Sequence, residues 1–159
     1  AQMMTVLSKA CGPYGMAAGQ ALDIMVMNDP SIPVELLTDI YRLKTGALFS
    51  ACIELGRLAS NDEDEMNKRA LKKFGDAIGL AFQIQDDILD IEAETATLGK
   101  TQGIDVMNNK ITYPRLVGLD TAKEKVELLY QEALEAINYL NARATVLRDL
   151  TSHMLQRSN

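Results

Sequence analysis

The sequence predicts an all-α chain arranged as an antiparallel helix bundle. Three observations predict it. Apolar residues recur at helical spacing along the whole chain. No alternation of apolar and polar residues runs long enough to make a strand. Alanine, leucine, methionine and glutamate recur, while proline occurs only 4 times in 159 residues.

The elements follow in order. A first helix is expected over about Thr5–Ala10, broken at Cys11-Gly12-Pro13. A second covers about Tyr14–Met27, where Gly15 and Gly19 form a small-residue stripe that admits a close neighbour. After the turn Asn28–Ser31, a third helix starts near Pro33, with Glu35 favourable at its positive end. It runs to about Leu58, with Leu36, Leu37, Ile40, Leu43, Ala47, Leu48 and Ala51 as its apolar residues. Asn61 is expected to cap a fourth helix that reaches Ile91. Its stripe is Ala70, Phe74, Ala77, Ile78, Ala81, Ile84, Ile88 and Ile91. The polar segment Glu92–Ile111 is too long for an ordinary connection. Thr112 then caps a short helix with Pro114 in its first turn. Thr121 and Glu124 read as a capping box opening the next, with Val126, Leu129, Tyr130, Ala133, Ile137 and Leu140 inward. A last helix spans about Thr145–Arg157.

Charge and composition narrow the function. Sixteen Lys+Arg against 22 Asp+Glu leave a net charge of -6. That disfavours a nucleic-acid binder, which needs a basic face to neutralise phosphates. Cys11 and Cys52 are too few for a disulfide scaffold and read as reduced core residues. No apolar run reaches the ~18 residues of a membrane span. The start, Ala1–Thr5, lacks the basic region of a secretory leader, so the expected location is the cytoplasm. The acid run Asp62–Glu65 suits a helix start; it lacks the glycine and the ligand spacing of a calcium loop. A di-iron bundle needs Glu-x-x-His pairs, whereas the one histidine, His153, has Leu150 three residues before it.

The chemistry-bearing stretch is Phe82-Gln83-Ile84-Gln85-Asp86-Asp87-Ile88-Leu89-Asp90. Helical spacing places Asp86, Asp87 and Asp90 on one face, with Gln83 one turn earlier. Like charges so close repel unless a cation offsets them. Hard carboxylate oxygens without histidine favour Mg²⁺, which is usually shared between one or two carboxylates and substrate phosphates. Downstream lie Leu98-Gly99-Lys100 and Lys110-Ile111-Thr112-Tyr113-Pro114. Upstream lies Lys44-Thr45 in a largely apolar helix. Lysines near an acidic metal face can contact the same phosphates.

With Gly19-Gln20-Ala21-Leu22-Asp23 and Lys44-Thr45-Gly46-Ala47-Leu48, these stretches resemble the trans-type polyprenyl diphosphate synthases, in their bacterial farnesyl/geranyl diphosphate synthase branch. The resemblance covers essentially the whole chain. It implies about the C-terminal half of the isoprenoid synthase fold. The first aspartate-rich motif, its arginine pair and an early basic cluster of that family have no counterpart in these residues. Residues 1–159 are thus expected to be the C-terminal part of a single all-helical domain, inactive alone and with apolar faces left for the other half.

The resemblance implies roles. Asp86, Asp87 and Asp90 match carboxylates that hold Mg²⁺ on an allylic diphosphate, and Lys44 and Lys100 match lysines that contact that diphosphate. Thr45, Gln83 and Lys110 match residues lining the same site, and Phe82 an aromatic near the isopentenyl pocket. The implied reaction joins an allylic diphosphate to isopentenyl diphosphate in a homodimeric parent enzyme. The alternative is a non-catalytic regulatory subunit of the same fold.

Overall fold

The computed structural model describes residues 1–98 and 110–156, and among these there is helix and no strand. The elements are α1 (Gln2–Cys11), α2 (Met16–Val26), α3 (Val34–Tyr41), a π-helical turn (Arg42–Gly46), α4 (Ala47–Ala59), α5 (Glu65–Leu98), α6 (Tyr113–Val117), α7 (Leu119–Ala136), a 3₁₀ segment (Asn138–Ala144) and α8 (Thr145–Leu155). The long α5 is the axis of the fold, packed against α4, the π-turn and α7.

Its sequence explains its position. The middle of the expected apolar stripe is buried, with Phe74, Ala77, Ile78, Ala81, Ile84 and Ile88 each at most 5% exposed, while its end members Ala70 and Ile91 are half-buried. Opposite it, α7 buries Ala122, Val126, Leu129, Tyr130 and Ala133, and the chain continues inward through Ile137 and Leu140. Buried amide chemistry adds to this packing. Tyr130 Oη donates to Gln85 Oε1 at 2.5 Å, and Gln85 Nε2 donates to the carbonyl of Leu155 at 3.2 Å. Gln85 therefore ties α5 to α7 and to the end of α8.

The helix expected from Pro33 to about Leu58 is present but is not α-helical throughout. Five residues, Arg42–Gly46, wind as a π-turn, a feature often found at functional sites. Glycines let its two neighbours approach. A Cβ on Gly19 of α2 would lie 2.2 Å from the backbone nitrogen of Lys44. A Cβ on Gly79 of α5 would lie 2.8 Å from Gly46 Cα. Gly19 thus fulfils the close-approach role expected of it. Gly15 instead serves the turn before α2, where a Cβ would meet the carbonyl oxygen of Ala10 at 2.2 Å.

The α3–π–α4 run and α5 pair antiparallel in a ladder. Tyr41 meets Asp87, Thr45 meets Gln83, Phe49 meets Gly79 and Ile53 meets Gly75. Each rung steps four residues up one helix and four down the other.

Several local expectations are corrected. Helix α5 starts at Glu65 rather than at Asn61, which takes a left-handed φ of 54° where the chain leaves α4. The cap is Asp64, whose Oδ1 accepts from the backbone N–H of Met66 at 2.7 Å and of Asn67 at 3.3 Å. At its other end α5 continues to Leu98, seven residues past Ile91. Thr121 lies inside α7, whose N-cap is Gly118 at φ 91°, so no capping box forms there. Thr112 occupies the N-cap of α6, yet it is the backbone carbonyl, not the hydroxyl, that accepts hydrogen bonds from Arg115 and Leu116. Cys11 and Cys52 are free thiols as expected but exposed, not core. Cys52 follows the buried Ala51, and one residue of helix rotates a side chain by about 100° away from its neighbour. His153 is exposed.

Candidate functional site: a lysine turn facing an acidic helix

The π-turn presents Lys44 and Thr45 in different directions. Lys44 Nζ turns toward α2 and pairs with Asp23 Oδ2 at 2.6 Å. Asp23 is 4% exposed, so the pair is largely shielded from solvent on its acidic side. Thr45 turns toward α5, where its hydroxyl donates to Gln83 Oε1 at 2.5 Å. Gln83 is nearly buried, at 9%. Phe82, half-buried, stacks at a tilt on Phe49 with ring centroids 5.2 Å apart. Lys44, Thr45, Phe82 and Gln83 thus lie where the π-turn and α5 meet. None of them lines the mainly apolar cavity of about 520 Å³ between α1, α4 and α5.

The three aspartates do not share one exposed face. Asp86 is half-buried and Asp90 exposed, one helical turn apart. Asp87 is 2% exposed and points into the ladder. Consecutive residues on a helix differ by about 100°, and the apolar back of α5 takes the middle carboxylate with it. There Asp87 Oδ2 accepts two hydrogen bonds, from the hydroxyl of Tyr41 and from the backbone N–H of Tyr113 at 3.0 Å. Burial raises the Asp87 carboxyl above the usual carboxylate range, opposed by those two bonds and by the nearby Lys110 ammonium. Burial and the Asp87 charge together push the Tyr41 phenol well above its ordinary value.

Lys110 is half-buried where the described chain resumes. The next residue is bolted down, with Ile111 N–H donating to the carbonyl of Met27 at 2.9 Å. Lys100 lies outside the described residues. Among the described residues no group of three or more His, Cys, Asp or Glu side chains gathers as a ligand set. The donor chemistry nevertheless fits Mg²⁺ at Asp86 and Asp90: these are hard oxygens, at least part-exposed, and the ion commonly takes only one or two carboxylates from a protein.

Tyr41, Gly79 and the Tyr113 amide are the site components that motif reading missed. The signal for the first two was available as a spacing of four: Tyr41, Thr45, Phe49 and Ile53 on one helix, Gly75, Gly79, Gln83 and Asp87 on the other.

The fold and site define an all-helical protein in which an amide–carboxylate helix faces a lysine-bearing turn. The chain belongs to the polyprenyl synthetase family, whose family model matches residues 1–146. It is 40% identical to the farnesyl diphosphate synthase of Escherichia coli over 98% of this chain and 53% of that protein. It is also 40% identical to geranylgeranyl pyrophosphate synthase 12 of Arabidopsis thaliana, over 98% of this chain and 44% of that protein. Among solved structures, a geranyltransferase from Legionella pneumophila superposes with a TM-score of 0.82 at 33% identity, covering 99% of this chain and 49% of that one. A geranyltransferase from Helicobacter pylori, complexed with magnesium and isoprenyl diphosphate, gives 0.77 at 33% identity, covering 97% and 50%. The chain spans about half the length of the curated relatives it matches.

Proposed function

We propose that this chain carries the diphosphate-binding wall of a prenyltransferase that condenses an allylic diphosphate with isopentenyl diphosphate. The observation that carries the reading is the approach of the Lys44-Thr45 turn to the Gln83–Asp90 face of α5, fixed by the Thr45–Gln83 hydrogen bond. Ionisation of an allylic diphosphate separates a carbocation from pyrophosphate. Groups that stabilise the departing anion therefore lower the barrier, by ~1.4 kcal/mol per tenfold in rate. Lys44, Lys100 and Lys110 supply positive charge to that anion. Thr45 and Gln83 hold the turn in register, and Phe82 offers an aromatic surface to the second substrate. Asp86 and Asp90 would hold Mg²⁺, which supplies Lewis-acid stabilisation of the leaving diphosphate when bound.

The curated relatives are named as synthases, which supports a catalyst over a regulatory subunit. Their greater length supports the view that these residues need a complementary half for activity. The apolar side chains exposed on α1 and α2 and in the turn between them, among them Met4, Tyr14 and Met25, agree with such a partner surface. No helix among the described residues is long and apolar enough to cross a membrane. The family resemblance supports a homodimer, which light scattering tests, and cell fractionation tests the expected cytoplasmic location.

The deciding assay incubates the complete gene product containing these residues with Mg²⁺, labelled isopentenyl diphosphate and an allylic diphosphate. Formation of a longer prenyl diphosphate is expected. A pure, folded product that makes none refutes the reading.

A further inference from the structure

We propose that Asp87 is a positioning residue: its buried carboxylate clamps the π-turn and the start of α6 onto α5, while Asp86 and Asp90 face the diphosphate site. This rests on the function proposed above and assigns the middle carboxylate of the acidic stretch a different task from its neighbours.

Three observations carry it. First, Asp87 has almost no exposed surface, at 2%, whereas Asp86 and Asp90 have more. Second, one oxygen, Oδ2, accepts from both Tyr41 Oη and the Tyr113 backbone N–H. The Tyr113 amide belongs to the first turn of α6, where N–H groups have no partner within the helix. Asp87 therefore acts as a cap reaching across from another helix. Third, the two donors stand beside site residues. Tyr41 is the last residue of α3, immediately before the turn that carries Lys44 and Thr45. Tyr113 lies three residues after Lys110, on a segment already fastened to α2 through Ile111 and Met27. A single carboxylate oxygen thus fixes where two lysine-bearing segments stand relative to Asp86, the adjacent residue.

Charge-assisted hydrogen bonds of this kind are short and directional. Both partners of the phenol–carboxylate pair are nearly fully buried, with Tyr41 at 1%. Removing one leaves the other unsatisfied in a low-dielectric interior. Asparagine keeps an oxygen that can accept both bonds while losing the charge that makes a carboxylate a strong Mg²⁺ ligand. That difference separates the two roles.

The test uses the complete gene product and four variants: Tyr41→Phe, Asp87→Asn, Asp87→Ala and the double Tyr41→Phe/Asp87→Ala, with Asp86→Asn as the comparison. Calorimetry follows binding of inorganic pyrophosphate at stepped Mg²⁺ concentrations, and urea unfolding follows stability. The Mg²⁺ midpoint for Asp87→Asn is expected within about twofold of the parent, and for Asp86→Asn at least tenfold higher. Tyr41→Phe and Asp87→Ala are expected to weaken pyrophosphate binding at saturating Mg²⁺, and the double variant to be no weaker than Asp87→Ala. An Mg²⁺ midpoint displaced as far by Asp87→Asn as by Asp86→Asn overturns the assignment, as does a double variant whose loss is the product of the single losses. If the parent binds no pyrophosphate with Mg²⁺, it is the proposed function that fails. The urea data then still decide the clamp, because coupled residues unfold non-additively and independent ones add.

Discussion

Gly19→Ala is the sharpest perturbation the fold offers, because two effects of known sign compete in it. In a helix interior, alanine is favoured over glycine by about 1 kcal/mol. Propensity alone therefore predicts a stabilised protein. Against this, the new Cβ would sit 2.2 Å from the Lys44 nitrogen, 2.6 Å from Lys44 Cα and 2.8 Å from the carbonyl carbon of Leu43. Ordinary contact begins at 3.4 Å, so α2 and the π-turn must part by at least the 1.2 Å difference at the shortest of these. All three atoms are backbone, and no side-chain rotation relieves the overlap. Overpacking costs about 1–3 kcal/mol, and the upper end applies here. The net expectation is a loss of about 2 kcal/mol, read as a lower urea midpoint at unchanged slope. Activity should fall further than stability, because a displacement of about 1 Å at reacting groups can cost about 100-fold. Gly56→Ala is the control: also within a helix, it meets nothing within 4 Å, and should stabilise by about 0.5–1 kcal/mol. A Gly19→Ala protein as stable as its parent would refute the claim that glycine is there to admit the turn.

Other outcomes follow from the same contacts. Gly79→Ala should destabilise, since its Cβ would lie 2.8 Å from Gly46 Cα and 3.0 Å from Phe49 Cβ, whereas Gly46→Ala meets nothing nearer than 3.7 Å and should be tolerated; thermal melts rank the pair. Thr45→Val strips the Gln83 carbonyl of its donor and should cost about 1–3 kcal/mol in urea unfolding, with a matching weakening of pyrophosphate binding. The Asp62 carboxyl is held below its ordinary value by hydrogen bonds from the Asp64 backbone and the Asn67 side chain. In that acid window the unfolded chain binds more protons than the folded one, so this contribution is present above the ordinary carboxylate value and is lost as pH falls through the folded one. The gap in melting temperature between the parent and Asp62→Ala should therefore close as pH drops below 3.8; a gap that stays constant would assign the loss to packing instead.

The sequence made much of this legible because helical periodicity is a strong signal for long elements. The α5 stripe from Phe74 to Ile88 and the α7 stripe from Val126 to Ala133 are buried as their spacing requires. Ends were less legible. Asn61 and Asp64 are both plausible caps by residue type, and only the backbone decides: Asn61 is left-handed, while Asp64 faces two free N–H groups. Thr121 and Glu124 have the spacing of a capping box, but Gly118 starts the helix three residues earlier. Cys52 was misread because residue type outranked phase; Ala51 holds the inward position. The acidic stretch reads as one face by spacing, whereas its middle member, Asp87, belongs to the buried one.

The ladder explains why that middle position holds an acid at all. The rungs Phe49–Gly79 and Ile53–Gly75 pair large with small, which draws the helices together by shape. Carried on at the same spacing of four, the next rungs are Thr45–Gln83 and Tyr41–Asp87, and these pair hydrogen-bond donor with acceptor. A buried polar rung is favourable only when its register is right, because an unpaired group costs more than a pair gains. The glycine rungs supply attraction with little penalty for a small slide. The polar rungs, lying where the π-turn interrupts the α-helix, penalise any slide and so select one register. In that register Lys44 pairs with Asp23 of α2, and the segment after Lys110 meets Asp87 through the Tyr113 amide. Close packing at one end of the helix pair thus supplies the stability, and exacting hydrogen bonds at the other fix the positions on which the proposed diphosphate site depends.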